Sequence, residues 1–425
     1  MKPSKIINAV IGVLVKRYQQ LFLVLFFLLI QFPVFSQTDS LENISETSTL
    51  DKIIEIAFSN NGLLQNNKLD IESAISQQKG AFSVPKTNIS LQYGNVQSSY
   101  NRDVMITITQ NFNPIGSISA TKKAFQAQEM SAEANLKYQK NALKNQISQL
   151  YYKFVFFSQK NALLQKQDSL WKTVERITKA QTQAGQTNKM ELLTAQNQRL
   201  QLLQQKSINE NELKMTFHDL QKLAQNELFF LENVSQNVNS ESLDKSMLNL
   251  ANSDSSNSML TYFEAQTNLA QRQIAVERSK AMPELHLGYS SPTFDGEVGV
   301  YNAFQAGFSV PLVWREYNSK IQVAKIKEIQ AQNELAYQKN AISEEKKAVL
   351  MKLQNLQSIL ESYQKNQIPQ AEELANLAQI RYKEGEISVL QLVQIQQQTL
   401  QTSLSYLETQ ENFNSTLAMW EFLNN

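Results

Sequence analysis

The residues best suited to chemistry are few. The 425-residue chain has two His, His218 and His286, and no Cys. It therefore offers no thiol nucleophile, no disulfide framework and no Cys-ligated metal. Two isolated imidazoles are a poor start to a metal site, and both are read as structural or surface residues. Glu344 and Glu345, followed by Lys346 and Lys347, suit a solvated helix face. There is no phosphate-binding glycine loop, GxSxG elbow, HExxH helix or dinucleotide fingerprint. The GEVG at residues 296–299 is loop chemistry only. No catalytic residue, cofactor or metal ligand is assigned, and the chain is read as a non-enzyme. With 40 Lys+Arg against 39 Asp+Glu, it lacks the positive field that nucleic acid would require of a main partner.

The informative residues are those that shape elements. Gly and Pro number only 11 and 8, against roughly 7% and 5% in ordinary chains. Few breakers imply long unbroken elements, hence long helices. About fifty Gln stand well above ordinary usage. Apolar residues at 42% and aromatics at 9% exclude a disordered polymer.

Residues 1–36 read as a secretory signal peptide. Lys2, Lys5, Lys16 and Arg17 form a basic front, Leu21 to Ile30 an apolar run, and Pro33 to Ser36 a cleavage region. The run is too short to span a bilayer, which takes about 20 residues. Cleavage after Ser36 would remove those four basic residues and leave 36 positive against 39 negative charges, a net of −3. No Cys follows that could carry a lipid.

The remainder is written twice. Tyr138-Gln-Lys-Asn-Ala142 recurs as Tyr337-Gln-Lys-Asn-Ala341; Pro85 answers Pro283, Pro114 answers Pro311, and Gly185 answers Gly385. Around the last pair, Leu192, Gln196, Gln198 and Leu200 coincide with Leu392, Gln396, Gln398 and Leu400. Landmarks in one order at nearly one offset mark a tandem repeat. Residues 37–231 form the first unit and 259–425 the second, joined by a polar Asn/Ser-rich linker at 232–258.

Each unit reads helix, two strands, long helix, turn, helix. Residues 50–82 have helical spacing, with Ile53, Ile54, Ala57, Leu64, Ile71 and Ile75 on one side. Strands are predicted over 88–96 and 104–112, with Val104, Ile106 and Ile108 facing one way and Thr107 and Thr109 the other. The second pair covers about 284–291 and 301–310. There Leu285, Leu287 and Tyr289 alternate with His286 and Gly288, and Phe304, Ala306, Phe308 and Val310 with Gln305, Gly307 and Ser309. Phe112, Tyr289, Phe294 and Phe304 suit either an interfacial aromatic girdle or ordinary strand packing.

From Pro114 to Gly185 nothing breaks a helix except Gly116 at its start. About seventy residues would span on the order of 100 Å. Leu136, Leu143, Ile147, Leu150, Phe154 and Phe157, and likewise Leu335, Ile342, Val349, Leu353, Leu356, Leu360 and Tyr363, follow heptad seams, so the helices pack in coiled-coil fashion. Pro369 should bend the second long helix. Gly185 and Gly385 should reverse the chain into helices over 189–228 and 388–422.

Such helices fit no single globular core. Four alternating strands of about ten residues suit a tilted barrel wall with one face to lipid. A sheet in lipid must close, and four strands are too few, so copies must combine.

These features resemble the TolC-type outer-membrane efflux ducts. The resemblance covers essentially the whole mature chain. It rests on the tandem repeat, the VP and MP that open each strand pair, the segment FSVPLVWREYNSKIQVAKIKEIQAQ, and above all RYKEGEISVLQLVQIQQQTLQ (Arg381 to Gln401). The fold class this implies is mainly α with a small β part: a homotrimer whose twelve-stranded barrel sits in outer-membrane lipid on a periplasmic α-helical tube. The duct would serve a periplasmic adaptor and an inner-membrane pump and do no chemistry itself. On the family pattern, Ala184, Gly185, Gln186, Glu384, Gly385 and Glu386 would be hairpin tips that meet the adaptor. Acidic residues that ring the periplasmic mouth in some members are replaced here by Gln391 and Gln394, while Glu191 holds the matching place after Gly185. The SVPLV and YKEGEIS segments look like ducts paired with heavy-metal cation pumps; drug efflux and peptide or protein export stay open. A periplasmic adaptor would carry one hairpin flanked by Gly-rich β modules, and a plain coiled-coil protein would not need two strand pairs.

Overall fold

The computed structural model describes residues 49–94, 103–226, 257–292 and 302–425, all within one unit, Ser48–Asn425. The expected signal peptide, most of the polar linker, the loop at 97–102 and the Phe294, Gly296 and Gly299 region lie outside the described residues.

Thr49–Asn60 (α1) and Gly62–Gly80 (α2) replace the single helix predicted over 50–82. Asn61 causes the break. Its backbone is extended, and its side-chain oxygen accepts from the N–H groups of Leu63 and Leu64, so it ends one helix and caps the next. Its amide also donates to Leu223 O at 3.1 Å, which fastens the corner to a distant helix.

Ser117–Gln183 (α3) is one helix of 67 residues, about 100 Å of rise. Lys189–Ala224 (α4) returns beside it, and Ser258–Ser279 (α5) follows. Asn257 caps α5 as Asn61 caps α2: its oxygen accepts from Met259 and Leu260 N–H, and its amide donates to Leu423 O. The second long helix runs Arg315–Ser362 (α6), passes through a π-turn at Tyr363–Gln367, and continues as Ile368–Lys383 (α7). The helix meets Pro369 through this wider turn. Proline has no N–H for the carbonyl four residues back, and the wider turn absorbs the misfit. Val389–Asn424 (α8) returns along it.

The predicted seams are the packing seams. Leu143, Ile147 and Phe154 are buried with Ile53, Leu64 and Leu220 where α1, α2, α3 and α4 meet. Ile342, Val349, Leu353 and Leu360 are buried with Phe413 and Trp420 where α6 meets α8. A third cluster joins the two hairpins: Leu164, Trp171, Val174 and Leu202 pack with Ala378, Tyr382, Val389 and Leu392. Arg199 on α4 ties into α3 through Asp168 at 3.1 Å and Glu175 at 3.0 Å. The hydrogen bonds to Glu175 and Asp168 raise its guanidinium above the ordinary value.

Asn88–Gly94 (β1), Asp103–Asn111 (β2), Glu284–Pro292 (β3) and Ala303–Ser309 (β4) form one antiparallel sheet in the order β1-β2-β3-β4. The two strand pairs, far apart in sequence, join through β2 and β3, with Ile108 opposite Tyr289 and Asn111 opposite His286.

Candidate functional site

The sheet sorts its side chains by polarity across all four strands. Directly paired residues share a face in an antiparallel sheet. Ile89, Leu91 and Tyr93 pair with Ile108, Ile106 and Val104. Ile108 pairs with Tyr289, and Leu285, Leu287 and Tyr289 pair with Phe308, Ala306 and Phe304. One face is thus mainly apolar from edge to edge, interrupted by Gln110 opposite Leu287 and Ser291 opposite Ile106. The other carries Ser90, Gln92, Thr107, Thr109, His286, Ser290, Gln305 and Ser309. His286 lies over Gly307 there: a Cβ on Gly307 would come within 2.5 Å of its Nε2, so any side chain at 307 would displace the ring.

No part of the described chain covers the apolar face. Phe304 is 85% exposed, Ile89 73% and Phe308 67%, and Leu91, Tyr93, Ile106, Ile108 and Leu287 are exposed too. Val104 and Leu285 are half-buried. A patch this continuous marks contact with a partner or a membrane. The outer strands β1 and β4 have no further strand beside them among the described residues, which leaves two rows of backbone donors and acceptors open. The strands run 7 or 9 residues, near the roughly 9–11 of a tilted membrane strand. None of the described helices is long and apolar enough to cross a membrane.

The helical hairpins end in two matched turns. Gly185 and Gly385 have φ of +73° and +79°, in the left-handed region that glycine enters freely. Gly185 N–H donates to Thr182 O and Gln186 N–H to Gln181 O; Gly385 N–H donates to Tyr382 O and Glu386 N–H to Arg381 O. Both are Schellman ends, which satisfy the last helical carbonyls. Ala184, Gly185, Gln186, Glu384, Gly385 and Glu386 are all exposed. Arg381 donates to Glu386 at 2.9 Å across the second turn.

The residues expected at a channel mouth sit at the starts of the return helices. Asn188 caps α4 by accepting from Glu191 N–H at 3.0 Å, and Thr187 Oγ1 donates to Glu191 Oε2 at 2.7 Å. Ser388 caps α8 by accepting from Gln391 N–H, while Ser388 N–H donates to Gln391 Oε1 at 3.0 Å. This reciprocal pair is a capping box, so Gln391 helps start its return helix; at the other turn Asn188 is the cap and Glu191 supplies the N–H it accepts from. Gln394, one turn on, is exposed.

Just behind the tips, Tyr382 on α7 reaches Thr178 on α3. Their oxygens are 2.6 Å apart. Thr178 already donates to Val174 O at 2.8 Å, so Tyr382 is the donor. Burial pushes the Tyr382 phenol above its ordinary pKa, and the nearby Glu191 carboxylate adds to it. Sequence spacing gives no signal for this bond, because the partners lie 204 residues apart. No cluster of three or more metal-ligating side chains occurs among the described residues.

No family model matches the sequence, and no curated protein matches it. Solved structures do. The CmeC outer membrane channel of Campylobacter jejuni superposes with a TM-score of 0.74 at 14% identity, covering 92% of this chain and 90% of that one. CusC, described in terms of folding and transmembrane channel formation, gives 0.72 at 16% identity over 93% and 98%. The open state of the MtrE outer membrane channel of Neisseria gonorrhoeae gives 0.69 at 15% identity over 93% and 97%. At these identities the likeness is one of fold, and the fold of this chain is that of the outer-membrane channels.

Proposed function

We propose that this protein is the outer-membrane channel of a tripartite efflux system, a passive duct from periplasm to exterior. The carrying observation is the open four-stranded sheet with one apolar, exposed face. In lipid the open edges would leave backbone groups unbonded, at several kcal/mol each. Barrels of this kind start at about eight strands, so one chain cannot seal itself. Three copies would supply twelve strands, each copy contributing a duplicated unit of two strands and one long hairpin to a shared barrel and tube. The exposed tips at Ala184, Gly185, Gln186, Glu384, Gly385 and Glu386 would dock a periplasmic adaptor fed by an inner-membrane pump. Glu191, Gln391 and Gln394 would lie at the periplasmic mouth. Cargo would be small toxic compounds or metal cations, chosen by the pump.

The test is direct. Mature protein purified in detergent should run as a heat-sensitive trimer and give stepwise conductance in planar bilayers. A stable monomer in water without detergent would refute the reading.

A further inference from the structure

The chain holds two copies of one strand-pair geometry. Shifting both members of a β1–β2 pair by one fixed offset yields a β3–β4 pair. Asn88–Thr109 maps to His286–Gly307, Ile89–Ile108 to Leu287–Ala306, and Leu91–Ile106 to Tyr289–Phe304. The β2–β3 pairing is the junction between these hairpins. The same junction, moved on by that offset, has β4 in the place of β2 and a second copy's β1 in the place of β3. Resting on the multimeric channel reading above, we propose that β4 takes the next copy's β1 in this inherited register: Phe304 opposite Tyr93, Gln305 opposite Gln92, Ala306 opposite Leu91 and Phe308 opposite Ile89.

Polarity supports the register independently of the offset. It sets Phe304, Ala306 and Phe308 beside Tyr93, Leu91 and Ile89, and Gln305 beside Gln92. The apolar and polar faces therefore run on across the joint. A slip of one residue would turn the three apolar residues of one strand onto the polar face.

The helices carry the same relation. α5 packs against both α3 and α6, whereas α2 packs against α3 and makes no comparable packing with α6. Tyr138 on α3 stacks on Tyr262 of α5 at 6.0 Å, and Asn141 donates to Ser258 at 2.9 Å. The identical run on α6 faces outward, with Tyr337 66% exposed and Asn340 also exposed. Superposing the two caps, Asn257 on Asn61, places Gly62 at Ser258 and Asn66 at Tyr262. The second copy's α2 thus covers Tyr337 in the same step that its β1 meets β4.

The absence of cysteine makes the test clean. Gln92→Cys and Gln305→Cys would be combined in the full chain, oxidised in membranes and run on a non-reducing denaturing gel. A control combines Ser90→Cys with Gln305→Cys, two residues out of register. Within one copy these positions lie on opposite sheet edges, three strand spacings or about 14 Å apart. That exceeds the roughly 4.4–6.8 Å a disulfide allows between Cα atoms, so any bond must join two copies. The expected result is covalent dimer and trimer, about tenfold more for the 92/305 pair than for the control, whose diagonal distance of about 7–8 Å is too long. Preference for the 90/305 pair, or no cross-link within an intact native trimer, would overturn the register and leave the channel reading standing. Monomer alone in the membrane would overturn both.

Discussion

At the scale of single residues, the tips depend on backbone freedom rather than on space. A Cβ added at Gly185 or Gly385 meets nothing within 4 Å, yet both glycines have positive φ. Gly185→Val should therefore cost about 1–2 kcal/mol through left-handed strain alone. Gly185→Asn should recover most of the loss, because Asn tolerates this region. Adaptor pull-down and tip hydrogen exchange would show it: faster exchange and weaker capture for Val, near-normal values for Asn. Burial favours the neutral phenol of Tyr382, so the unfolded chain ionises first, near its reference pKa of about 10. The stabilising contribution is complete below that pH and fades as pH rises past it. Tyr382→Phe should lower tip protection by about 1 kcal/mol near neutral pH. It should also flatten the alkaline decline; an unchanged decline would assign it to another group. The two capping roles were legible in the sequence, since Asn188-x-x-Glu191 and Ser388-x-x-Gln391 have capping spacing. The Tyr382 bond was not, because only the fold brings its partners together.

At the scale of elements, alternation and heptad spacing carried most of the architecture. Strands predicted at 88–96, 104–112, 284–291 and 301–310 appear with ends shifted by one or two residues where both ends are described. The long helices start and stop at the predicted Pro and Gly. The break at Asn61 was missed although Asn-Gly is itself a turn signal, because the apolar spacing of residues 50–82 runs straight through it. The order of strands was beyond local pattern: nothing in the sequence of β2 names β3 as its neighbour. Phe308→Lys, on the apolar face, should oppose membrane insertion by about 2–4 kcal/mol if the site lies at the bilayer midplane. Thr107→Lys, on the polar face, should insert nearly normally. Heat-modifiable trimer in outer-membrane fractions is the readout, and equal yields for the two variants would contradict the assignment of the apolar face to lipid.

At the scale of the whole molecule, charge at the mouth should govern ion preference. Gln391→Glu keeps the capping geometry, since Glu serves as well as Gln at that position of a capping box. Gln394 is exposed one turn later. The pair Gln391→Glu and Gln394→Glu should therefore leave assembly intact and shift reversal potentials toward cations in bilayer recordings under a salt gradient. Unaltered selectivity would show that these side chains do not line the conduit.

The bare side of the sheet has a further consequence, for the order of events in a cell. A newly exported copy would travel through water with an oily slab that none of its described residues shields. Its coiled hairpins bury their seams within the chain and can settle early. On the multimeric channel reading proposed above, the slab cannot, so ripening of the sheet would wait for sister copies or for lipid. Crowded, slow export therefore favours stickiness and loss over assembly, and the yield of finished cylinders should fall most steeply where copies are made faster than the membrane takes them up.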